Sequence, residues 1–132
     1  NELRGCIGQV GGRGPVFQAV AEMAVAAASE DPRFVPLTPE EFARIGIEIS
    51  VMSPLVIVRR FGEIKIGRDG LMIKLDYHSG LLLPQVATEQ GWDRDALLEN
   101  LCLKAGLAKD AWKSGAEFWT FRSSHFRESQ LR

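Results

Sequence analysis

From Ile45 to Met52 the chain alternates without a break. Ile45, Ile47, Ile49 and Val51 fall on one side of an extended backbone, and Gly46, Glu48, Ser50 and Met52 on the other. A stretch patterned this way is a half-buried antiparallel strand, so the fold must hold a sheet with one face on a core. Leu71, Ile73 and Leu75 repeat the pattern against Met72, Lys74 and Asp76. With a turn at His78-Ser79-Gly80 and the run Leu81–Leu83, they predict a hairpin. Ala116 to Phe126 reads as a long strand with aromatic residues on both faces, hence one that is central or covered on both sides. Leu3 to Gly8 also alternates and would set Arg4 and Cys6 on one strand face, while Ile64–Ile66 reads as a further short strand. Leu55 to Val58 is a short apolar segment of open type.

Helices interleave with these strands. Pro15 suits a helix's first position, and Val16 to Ser29 carries an apolar stripe of Phe17, Val20, Ala21, Ala24 and Ala28, stopped by Asp31-Pro32. Thr38-Pro39-Glu40-Glu41 is a capping box that predicts a short helix to about Arg44. Pro84 to Gln90 reads as a helix ended by Gly91. Asp93 caps the next, whose stripe is Leu97, Leu98, Leu101, Cys102 and Ala105, ended by Gly106. Ala108 to Lys113 reads as one more short helix. Hairpins mixed with helices in this order predict an α+β fold with a mainly antiparallel sheet.

At 132 residues the chain is long enough for one domain, residues 1–132, with its own core. Sixteen basic against seventeen acidic residues leave a net charge of −1, which gives no general attraction to nucleic acid or to an anionic membrane. Lys65, Arg68 and Lys74 form a basic cluster far short of a nucleic-acid footprint. No apolar run is long enough to span a bilayer, and two well-separated cysteines in a chain with this much core point to a reduced, cytoplasmic setting.

The stretches Leu3-Arg4-Gly5-Cys6-Ile7-Gly8, Glu30-Asp31-Pro32-Arg33-Phe34, Glu48-Ile49-Ser50-Val51 and Gly67-Arg68-Asp69-Gly70-Leu71 resemble, in order, those of the AMMECR domain family. So do Leu82-Leu83-Pro84-Gln85-Val86-Ala87, Gly91-Trp92-Asp93 and Cys102-Leu103-Lys104-Ala105-Gly106-Leu107, and together they cover nearly the whole chain. The resemblance implies an antiparallel sheet flanked by helices, a smaller lobe, and a cleft beside the Arg-Gly-Cys-Ile-Gly stretch. It also implies an upstream segment of several tens of residues, including a strand that would pair with Leu3–Ile7. For partners it implies Memo-like and radical-SAM-like proteins, the AmmeMemoRadiSam grouping. It assigns no reaction and no cofactor.

Cys6 is the residue that hints at chemistry. A thiol between Gly5 and Gly8 is open to close approach; Arg4 on the same face would favour the thiolate, and Glu48, Ser50 or a histidine could serve as base. These residues, Cys6, Arg4, Glu48 and Ser50, make up the candidate catalytic set of an enzyme or enzyme component. The competing reading is a buried structural cysteine in a non-catalytic module that is regulatory or binds a peptide or partner protein. Cys102, inside a leucine stripe, reads as core. His78 reads as a solvated turn residue and His125 as a partly buried structural one. Two cysteines and two histidines without paired short spacing do not make a structural zinc module. The turn Gly8 to Gly14, with Arg13, could cradle an anion through its amides, but it lacks the P-loop and dinucleotide spacings and reads first as a flexible turn. Trp92, Trp112 and Trp119 read as core or lobe-interface anchors.

Overall fold

The alternating stretches become strands β1 (Glu48–Met52), β2 (Val56–Ile57), β3 (Gly70–Leu75), β4 (His78–Leu82), β5 (Glu117–Phe121) and β6 (Ser123–Arg127). The helices are α1 (Val16–Ser29), α2 (Pro39–Phe42), α3 (Pro84–Gln90) and α4 (Arg94–Lys104). The computed structural model describes residues 2–10 and 14–131, and only the backbone of 130 and 131. Gly11, Gly12 and Arg13, part of the proposed anion-cradling turn, lie outside the described residues. Two compact units are present, one of Asn1–Ile49 with Phe126–Arg132 and one of Ser50–His125. The family expectation of an α+β fold with antiparallel sheets holds.

The second unit carries the main core. Its four strands run β2-β5-β3-β4, all neighbours antiparallel, so β5 is central as its two aromatic faces required. Leu71 and Ile73 of β3 point to the helix side, where Ile73 faces Phe118 of β5 and Leu71 faces Leu82 of β4. They meet Ala87 of α3 and Leu97, Leu98, Leu101, Cys102 and Ala105 of α4. The whole predicted α4 stripe is therefore buried, and each fully buried leucine contributes about 1.5–3 kcal/mol. The helix ends follow local chemistry. Pro84 opens α3, Gly91 closes it at φ 70°, and the Asp93 carboxylate accepts the Ala96 N–H at 2.8 Å to cap α4.

Several predicted elements shift. The hairpin turns at Asp76-Tyr77, with Asp76 at φ 54°, and not at His78-Ser79-Gly80. Gly80 stays in β4 because a side chain there would press on Ala105, 3.2 Å away. His78 thereby leaves the turn, and its Nδ1 lies 3.1 Å from the Ala105 carbonyl oxygen at the end of α4, so Nδ1 carries the proton. The long strand breaks at Arg122, whose N–H donates to Ser53 Oγ at 2.7 Å and so leaves the backbone ladder. Phe61–Glu63 forms a 3-10 turn, and the Lys65 N–H goes to the Asp69 carboxylate at 3.0 Å, so Ile64–Ile66 has no ladder to join. Ala108–Lys113 narrows to the 3-10 turn Ala111–Lys113, and the first strand narrows to β1, which pairs with β6 in a separate two-stranded sheet.

In the first unit α1 runs over the predicted residues but presents a partly shifted side. Ala26 is buried and Ala19, Val20, Met23, Ala27 and Ala28 are half-buried, whereas Phe17 is 78% exposed and Ala21 and Ala24 are open. An alanine-rich helix has no bulky stripe to select its face, so close packing at Ala26–Ala27 decides. The capping box of α2 forms as read, with the Thr38 hydroxyl accepting the Glu41 N–H at 3.2 Å. Residues 2–9 form no strand, contrary to the alternation of Leu3 to Gly8.

Candidate functional site

Gly5 sets the position of its neighbours. A Cβ built on it would stand 1.8 Å from the Ala27 carbonyl oxygen, so the backbone lies directly on the last turn of α1 and tolerates no side chain. That contact brings Cys6 to the residues that follow the helix. The Cys6 N–H donates to Asp31 Oδ2 at 2.9 Å, and its carbonyl accepts from Arg33 Nη2 at 3.1 Å. Two side chains thus satisfy the Cys6 peptide groups that a partner strand would otherwise take.

Asp31 is 4% exposed and ties the cluster together. Besides Cys6, it accepts from the Arg33 N–H at 3.1 Å, Arg33 Nε at 3.0 Å and Arg33 Nη2 at 2.7 Å. The Arg33 guanidinium, followed by the Cys6 N–H, holds this carboxyl well below the usual carboxylate range and outweighs its burial. Arg33 is raised in turn, first by Asp31 and to a smaller degree by the neighbouring Cys6 thiol. Cys6 itself is exposed, so the thiol is accessible and not packed away.

Arg4 serves a different partner. Its Nε donates to Glu41 Oε2 at 2.8 Å, and its Nη2 to Glu41 Oε1 at 3.2 Å and to the Val35 carbonyl at 3.3 Å. Glu41 also receives the Thr38 N–H of the capping box, and Arg4 first, then Thr38, draws its pKa down to about 2. Residues 4–6 are therefore pinned three times, by Glu41, by Ala27 and by Asp31 with Arg33.

The other two predicted site residues lie on the β1–β6 ribbon. Glu48 Oε1 is 3.2 Å from Arg127 Nε, both exposed, and Ser50 Oγ is 3.0 Å from His125 Nδ1. The cation that meets Cys6 is Arg33, which sequence reasoning left out of the site together with Asp31. Their signal was present in Asp31-Pro32-Arg33, read only as a helix stop and a family motif. Cys102 is fully buried, and burial pushes its thiol up, so it is core as read. Among the described residues no three His, Cys, Asp or Glu side chains converge on a common metal position.

The sequence profile of the AMMECR1 family matches residues 1–126. Protein MJ0810 of Methanocaldococcus jannaschii is 44% identical over 99% of this chain and 69% of its own length. A protein of Thermofilum pendens is 44% identical over 97% of this chain and 63% of its own. The crystal structure of uncharacterized protein PH0010 from Pyrococcus horikoshii superposes with a TM-score of 0.81 at 38% identity, over 86% of this chain and 59% of that one. The chain thus spans 69% and 63% of the two sequence relatives and 59% of the solved structure.

Proposed function

Because the chain belongs to the AMMECR1 family, we propose that it is an enzyme or enzyme component that uses Cys6 as a nucleophilic thiol. The observation that carries the reading is an exposed cysteine held by its own backbone to the Asp31–Arg33 pair, with the Arg33 cation beside it. A cation next to a thiol favours the thiolate, the form that attacks an electrophile. Asp31 positions both, and Arg4 acts at one remove by anchoring the segment to Glu41. Glu48 and Ser50 remain candidates for proton transfer, each with a polar partner on its ribbon. The working partners in this reading are a Memo-like and a radical-SAM-like protein in the cytoplasm. No helix among the described residues is long and apolar enough to cross a membrane.

The test is a mixture of this protein with those two partners, supplied with small-molecule extract and followed by mass spectrometry. A compound consumed with the wild type and untouched with Cys6→Ser supports the thiol's role. Identical consumption by both removes it. A second reading, a non-catalytic binding module, draws support from the apolar side chains open on the first unit, among them Phe17, Val35 and Phe42. It leads if Cys6→Ser binds the partners as well as the wild type and neither protein turns anything over.

A further inference from the structure

A cavity of about 320 Å³ opens in the second unit where the chain leaves β2, within the size range of small-molecule sites. Phe61 and Trp112 meet edge to face at 5.3 Å, and Phe61 and Phe118 do so at 5.5 Å, which gives the cavity a braced aromatic wall. Arg59 and Arg60 stand at the same cavity, both exposed, and neither side chain makes a hydrogen bond or ion pair among the described residues. No carboxylate lines it. Lys113 adds a further positive charge 5.1 Å from the Trp112 ring centre.

Arginine forks match phosphate and carboxylate oxygens, and aromatic walls accept flat apolar groups.

We propose that this cavity binds a small organic anion, a phosphate or carboxylate on a flat apolar body. Arg59 and Arg60 take the anionic group, and the wall of Phe61, Trp112 and Phe118 holds the body. Cys6 is not among the residues lining this cavity, and binding here does not rest on a reaction there.

Phenyl phosphate is the first probe, followed through the Trp112 indole N–H signal in nitrogen-15 NMR, assigned by its loss in Trp112→Phe. The expected result is a saturable shift of that signal, with binding weakened about tenfold or more in Arg59→Ala and in Arg60→Ala. Both variants should keep the wild-type melting temperature, since the two side chains are exposed. Inorganic phosphate and phenol should each bind about tenfold more weakly or worse, because each lacks half of the recognised chemistry. Benzoate in place of phenyl phosphate distinguishes the two anions, and saturable binding of either supports the proposal. No saturable shift with either anion, or a shift indifferent to both arginine variants, overturns it. Equal binding of phenol or of bare phosphate overturns it as well.

Discussion

The Asp31 carboxylate accepts the backbone N–H of Cys6 at 2.9 Å across 25 residues of sequence. Asp31→Asn keeps the shape of that contact but removes the charge that binds Arg33. Amide exchange at Cys6 should accelerate by about tenfold or more while amides of α4 keep their protection. Nitrogen-15 exchange on the two proteins reads this directly. An unchanged Cys6 amide would mean that the carboxylate does not hold the segment.

Acid should loosen the same segment. Asp31 and Glu41 both titrate lower in the folded chain than in the unfolded one, Glu41 at about 2 because Arg4 and then Thr38 hold its charged form. An unfolded carboxyl titrates near pH ~4. Between those values the unfolded chain binds protons that the folded chain refuses. The stabilisation is therefore complete above about pH 4 and lost as pH falls through about 2. Denaturant midpoints measured from pH 5 to 2 should fall less steeply in Glu41→Gln than in the wild type. Parallel curves would contradict the assignment.

Gly5→Ala should be costly despite its small change in volume. The new methyl would stand 1.8 Å from the Ala27 carbonyl oxygen, a backbone atom that cannot swing aside. A loss of about 1–3 kcal/mol, typical of overpacking, is expected in denaturant unfolding. Gly8→Ala, with open space around the new methyl, is the control and should stay near wild type.

Leu101→Ala should cost about 2–5 kcal/mol, since its fully buried side chain leaves a cavity between α4 and the sheet. Phe17→Ala, at a residue 78% exposed, should stay within about 0.5 kcal/mol. Chemical denaturation separates the two.

These contrasts follow what could be read in the sequence. Helices α3 and α4 were legible because Pro84, Gly91 and Asp93 act within a turn of the helix, and the leucine stripe points one way. The extended stretch at Cys6 was misread as a strand, since strand identity rests on a partner that alternation does not name. Arg4 was read as the cation that tunes Cys6, but it pairs with Glu41, which lies 37 residues away and was legible only as part of a capping box. Asp31 looked like punctuation because Asp-Pro ends helices, and only the folded chain brings its carboxylate to Cys6.

In the proposed function Cys6 is an accessible thiol activated by Arg33. The most direct measurement is the alkylation rate of Cys6 at neutral pH by mass spectrometry, with Cys102 as the internal reference, in wild type and Arg33→Ala. Rapid modification of Cys6 is expected, with none of buried Cys102 in the folded chain and a several-fold slowing of Cys6 in Arg33→Ala. A Cys6 as inert as Cys102, or one whose rate ignores Arg33, would contradict it.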